Sequence, residues 1–165
     1  MAVGYAWRGD ARYYATVVDR YYRQAPLPLH LGVQGTVYGG AAATYALLSN
    51  LDLAAKSLWL VAVAACGWAF PHVVKGGIVL KYRLRPTFGA EATFRMTNTE
   101  VLVGGPGAGR FTWSVYDRAV SFSDGILLVR KGAIRWLPHA ALTEGTPAEA
   151  VAVVQAHLPI RAVAG

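Results

Sequence analysis

Two stretches of this chain contain no aspartate, glutamate, lysine or arginine: 20 residues at 29–48 and 18 residues at 57–74. A helix rises about 1.5 Å per residue, so these lengths span about 30 and 27 Å, the thickness of a bilayer's hydrocarbon core. The residues between them, 49–56, carry Asp52 and Lys56, which cancel. Helices joined by so short a link must run antiparallel. Helices of a soluble domain need charged faces. Here only 15% of residues are charged, where about 25% is usual, and the mean hydropathy is +0.33. The expectation is a two-helix transmembrane hairpin over 29–74.

The first stretch is the weaker, with Gln34, Thr36, Thr44 and four glycines among its residues. Gly35, Gly39 and Ala43 recur every four residues, and Ala62, Cys66 and Ala69 form a comparable face on the second stretch. Small faces let helix backbones approach closely in lipid. Packing within the hairpin, homodimerisation, contact with another membrane protein and a chance product of an Ala/Gly-rich sequence all remain open. Arg8, Arg12, Arg20 and Arg23 precede the hairpin, and Lys75, Lys81, Arg83 and Arg85 follow it. By the positive-inside rule both termini lie in the cytoplasm, as expected of a multi-pass protein of a bacterial inner membrane. The net charge of +7 is largely spent on these flanks, so anionic inner-leaflet lipids, attracted by about 1 kcal/mol per basic residue, are the expected partners. A nucleic-acid partner is not needed. Cys66 is the single cysteine, which excludes an intrachain disulfide.

Residues 1–28 read as a short strand followed by an amphipathic helix. Asp10 is its N-cap and Gln24 its approximate end, with Tyr13, Val17 and Tyr21 on one stripe and Tyr14, Val18 and Tyr22 beside it. Such a stripe suits either the membrane interface or the face of a sheet. Residues 75–85 form a basic connector, with a hinge at Lys75-Gly76-Gly77. Over 86–165 the apolar period changes to two. Strands are expected at 92–96, 100–103, 110–113, 119–123, 126–130 and 133–137, with Asp124-Gly125 and Lys131-Gly132 as hairpin turns. Thr146-Pro147-Ala148-Glu149 combines an N-cap, Pro at the first helical position and a capping-box glutamate, opening a last helix. Strands closed by one helix follow the order of a pleckstrin-homology-like (PH-like) antiparallel domain. The fold class expected is therefore membrane α+β: N-terminal amphipathic helix, transmembrane hairpin, PH-like β domain.

From Phe94 onward the chain resembles the YcxB-like family of small bacterial membrane proteins. The likeness rests on Phe111-Thr112-Trp113-Ser114, on Ser123-Asp124-Gly125-Ile126-Leu127-Leu128, and on Arg135-Trp136-Leu137-Pro138-His139-Ala140-Ala141-Leu142. The Tyr-rich helix and two spans match the family's layout, while the Gly104–Gly109 loop departs from it. The resemblance implies a PH-like cytosolic domain on a two-span anchor and supplies no mechanism.

No catalytic constellation, metal-ligand spacing or cofactor motif stands out. The loop at Gly104–Gly109 lacks the Gly-Lys-Ser/Thr of a P-loop and leads into a strand. The expected function is a non-enzymatic inner-membrane protein whose cytosolic module binds a lipid head group, a peptide or a protein. Lys81, Arg83 and Arg85 are candidate contacts at the membrane surface, with Arg130, Lys131 and Arg135 around one hairpin. The alternative is a small membrane subunit or immunity-type inhibitor acting through its hairpin.

Overall fold

The computed structural model describes residues 2–24, 31–130 and 133–163. It divides into two compact units: Met1–Gln24 with Tyr82–Gly165, and Ala25–Lys81.

In chain order the elements begin with β1 (Ala2–Arg8) and α1 (Ala11–Gln24), followed by α2 (Leu31–Leu48) and α3 (Leu53–Arg83). Then come β2 (Glu91–Thr97), β3 (Glu100–Gly104), β4 (Gly109–Thr112), β5 (Arg118–Phe122), β6 (Gly125–Arg130) and β7 (Ala133–Pro138). The chain closes with β8 (Leu142–Glu144), α4 (Pro147–Gln155) and β9 (Ile160–Ala162).

The fold class expected from the sequence needs correction at two points. Among the described residues only α3 is long and apolar enough to cross a membrane, so a two-span transmembrane hairpin is not shown. The reason lies in α2, whose freedom from charge is not the same as hydropathy. Gln34, Thr36, Thr44, Tyr38, Tyr45 and the glycines dilute its few large apolar side chains. Multi-pass insertion loses its footing with it. α3 also continues helical through Lys75-Gly76-Gly77, where the sequence suggests a hinge, and carries Pro71 within it.

The second correction concerns the PH-like antiparallel domain. The strands form two sheets, a five-stranded one in the order β4-β3-β2-β1-β8 and a four-stranded one in the order β7-β6-β5-β9. The second is mixed, because β9 pairs parallel to β5. β1, from the far end of the chain, sits between β2 and β8.

The core lies between the sheets. Val3 and Tyr5 of β1, Phe94 and Met96 of β2, Val101 and Val103 of β3, and Ile126, Leu128 and Leu137 of the second sheet meet there, with Val153 and Val154 of α4. The Thr146–Glu149 capping box starts that helix, Thr146 accepting from the Glu149 amide and Glu149 accepting from the Thr146 amide. The second sheet is covered on its other face as well, where Val17 of α1 packs on Val120, Phe122, Leu127 and Trp136. This double burial explains why β6 reads Ile-Leu-Leu-Val without alternation. Asp10 accepts from the Tyr13 amide at 2.7 Å and so caps α1.

In the other unit α2 and α3 pack antiparallel. The Trp59 indole donates to the Ala42 carbonyl, and a Cβ on Gly35 would stand 2.8 Å from the Gly67 carbonyl oxygen.

Candidate anion-binding site

At one edge of the second sheet, β7 meets α1 and the end of α3 with the chain beyond it, and these enclose a cleft of about 330 Å³. α1 builds one wall. Its cap and the burial of Val17 and Val18 set its rotation, which turns Tyr13 and Tyr14 toward β7 and toward Tyr82. Tyr13 stacks on Trp7 of β1 with centroids 5.6 Å apart, and its hydroxyl donates to the Trp136 carbonyl at 2.9 Å. Tyr14 stacks on Tyr82 at 4.2 Å with the rings 9° from parallel. Arg85 lies 4.8 Å from the centre of the Tyr82 ring, a cation–π distance.

Arg135 supplies the opposite wall. In the β6–β7 ladder it faces Leu128, so it shares the face that carries Leu137 into the core. Its guanidinium lies 5.2 Å from the buried Phe94 ring. Burial raises the pKa of the Tyr14 hydroxyl and the neighbouring Tyr82 adds to the rise, while Arg85 and Arg135 pull it down. Both arginines line the cleft. Among the described residues Arg20 pairs with Asp124, Arg95 with Glu144 and Arg110 with Glu100, whereas neither Arg85 nor Arg135 joins an ion pair. Two guanidiniums on aromatic walls with no carboxylate between them can accept a phosphate or carboxylate, each offering a planar fork of donors.

The residues singled out in the sequence divide accordingly. Arg85 and Arg135 meet in this cleft. Arg130 lies 5.7 Å over Phe111 of β4 and, with Arg135, opposes the burial that raises the Tyr116 pKa. Arg83 sits 6.0 Å from the Phe88 ring, and Lys81 is exposed in the last turns of α3. Lys131 lies outside the described residues. Tyr14, Tyr82 and Trp7 complete the cleft, and the sequence does not mark them as site residues. The tyrosine stripe on α1 is the sequence signal for Tyr14 alone, and it reads equally as packing.

Of the small-residue faces, Gly35 is buried against Gly67, and a Cβ on Gly39 would lie 3.7 Å from the Val63 side chain. Gly67 falls one residue beyond Cys66, off the Ala62-Cys66-Ala69 face, so that pattern does not reveal it. Ala43 and Ala69 are half-buried and Ala62 is exposed, as is Cys66, which lines a small apolar hollow beside Gly35 and Gly39. No family model matches the chain, and no curated protein or solved structure matches it either. The likeness to the YcxB-like family rests on its quoted motifs alone.

Proposed function

We propose that this chain is a membrane-seated binding protein whose β-rich unit holds the phosphate of an anionic lipid head group between Arg85 and Arg135. The carrying observation is that these two arginines line one aromatic cleft with no carboxylate partner among the described residues. α3 supplies the seat. None of its residues is buried, although it displays Leu58, Val61, Trp68, Val73 and Leu80. Exposed apolar area of this extent is unfavourable in water by about 25 cal/mol per Å², and lipid removes that cost. Arg85 follows the charge-free run ending at Val74 by 11 residues, so lipid around that run keeps head groups close along the chain to this arginine.

The test is calorimetric titration of the detergent-solubilised full-length protein with short-chain lipids. Dihexanoylphosphatidylglycerol should bind and dihexanoylphosphatidylcholine should not. Arg85→Gln or Arg135→Gln should each weaken the first by about tenfold to a hundredfold, the worth of one charge-assisted contact. Equal binding of both lipids, or indifference to both substitutions, would refute the reading. Glycerol 1-phosphate binding as tightly as the lipid would transfer the site to a soluble phosphate ester.

A further inference from the structure

Arg135 also borders a second hollow, of about 320 Å³, on its other side. β4 ends one sheet and β7 ends the other, and no ladder joins these two edge strands. The seam between them stays open, with Gly107 and Phe111 on one side and Ala133 and Arg135 on the other. Its floor is core: Leu128 is wholly buried and Tyr116 nearly so. The β6–β7 register pairs Leu128 with Arg135 and Arg130 with Ala133, which puts both arginines on the inward face of their sheet. Arg135 is half-buried on that face and Arg130 is exposed at its end. Neither Arg130 nor Arg135 has a carboxylate partner among the described residues, and their guanidiniums lie over Phe111 and Phe94 instead. An apolar floor under two inward-turned, unpaired guanidiniums is complementary to a chain that ends in an anion.

We infer that this seam is a second binding site, which takes the alkyl chain of a single-chain carboxylate against Phe111 and the exposed edge of Tyr116 and seats the carboxylate on Arg130 and Arg135. A single chain fits because the seam is bounded on both sides by strand edges. A carboxylate fits because it presents two oxygens to guanidinium donors in the planar geometry they favour. The inference does not depend on the lipid head-group reading; the two sites share Ala133, Ile134 and Arg135 and differ in their second cation, Arg85 in the cleft and Arg130 in the seam.

The test uses full-length protein in nonionic detergent and decanoate labelled with carbon-13 at its carboxyl carbon. A protein-bound resonance, distinct from the micellar one, should appear and saturate at one per chain. It should titrate at lower pH than micellar decanoate, since neighbouring guanidiniums favour the ionised form. Arg130→Gln, at an exposed side chain, should weaken binding about tenfold or more. Ala133→Trp, at an exposed position on the mouth, should block it, and decanol should fail to displace decanoate at equal concentration. Only a micellar resonance, or a bound one that survives Ala133→Trp, would overturn the inference. Arg85→Gln separates the two sites: it should weaken dihexanoylphosphatidylglycerol and not decanoate. Loss of decanoate in that variant would move the carboxylate into the cleft and equally overturn the assignment.

Discussion

Tyr5 shows how tightly single positions are held. Its ring is buried between the sheets, and its hydroxyl has no hydrogen-bond partner among the described residues. Burial pushes its pKa up to about 12, from 10.0. The unfolded chain releases this proton near pH 10 and the folded chain only near 12, so the associated stability is full below 10 and declines between the two. Tyr5→Phe removes an unsatisfied buried group at almost constant shape. It should raise unfolding free energy by about 1 kcal/mol at neutral pH and flatten the alkaline decline. A thermal midpoint that falls on substitution would mean that the hydroxyl is satisfied after all. Gly125 teaches a different lesson. Its place beside Asp124 suggests a turn, yet it is buried in β6, and a Cβ there would lie 2.5 Å from the Leu137 carbonyl oxygen and 2.6 Å from the Trp136 ring. The residue type is conspicuous in the sequence, whereas the cross-strand neighbour that demands it is not.

Among the elements, those specified by local chemistry are legible in the sequence. The caps at Asp10 and Thr146 locate α1 and α4, and alternation locates β2 and β3, while β6 shows as an unbroken apolar run bounded by turn residues. β8 and β9, three residues each, exist through their pairing with β1 and β5, which no short window of sequence displays. The same limit governs the site. Arg85 and Arg135 are visible as basic residues, but the tyrosines that make a cleft of them come from α1 and from the end of α3, joined by the tertiary fold. For α2 and α3 the small-residue pattern is legible on one side only. Gly35 meets Gly67 backbone to backbone, while Gly40 has open space around it. Gly35→Ala should therefore loosen the helix pair, lowering its thermal midpoint and raising amide exchange in α2, and Gly40→Ala should leave both unchanged or improved, since alanine favours helix by about 1 kcal/mol over glycine. Equal effects of the two substitutions would remove the Gly35–Gly67 contact as the reason the helices pair.

The molecule as a whole combines a two-sheet unit, whose large apolar side chains are mostly buried, with a helix whose apolar side chains are not. On the proposed reading that contrast goes with the arginines left unpaired in an aromatic cleft: lipid covers the helix, and a lipid phosphate pairs the arginines. Native mass spectrometry can observe both partners at once. Full-length protein would be released from bilayers of phosphatidylethanolamine and phosphatidylglycerol in gentle nonionic detergent, beside the Arg85→Gln/Arg135→Gln double variant. The wild-type chain should partition into the bilayers and retain one phosphatidylglycerol, and the double variant should still partition but lose that adduct. A wild-type chain that stays out of the bilayers, or an adduct that persists undiminished in the double variant, would contradict a lipid-seated phosphate site.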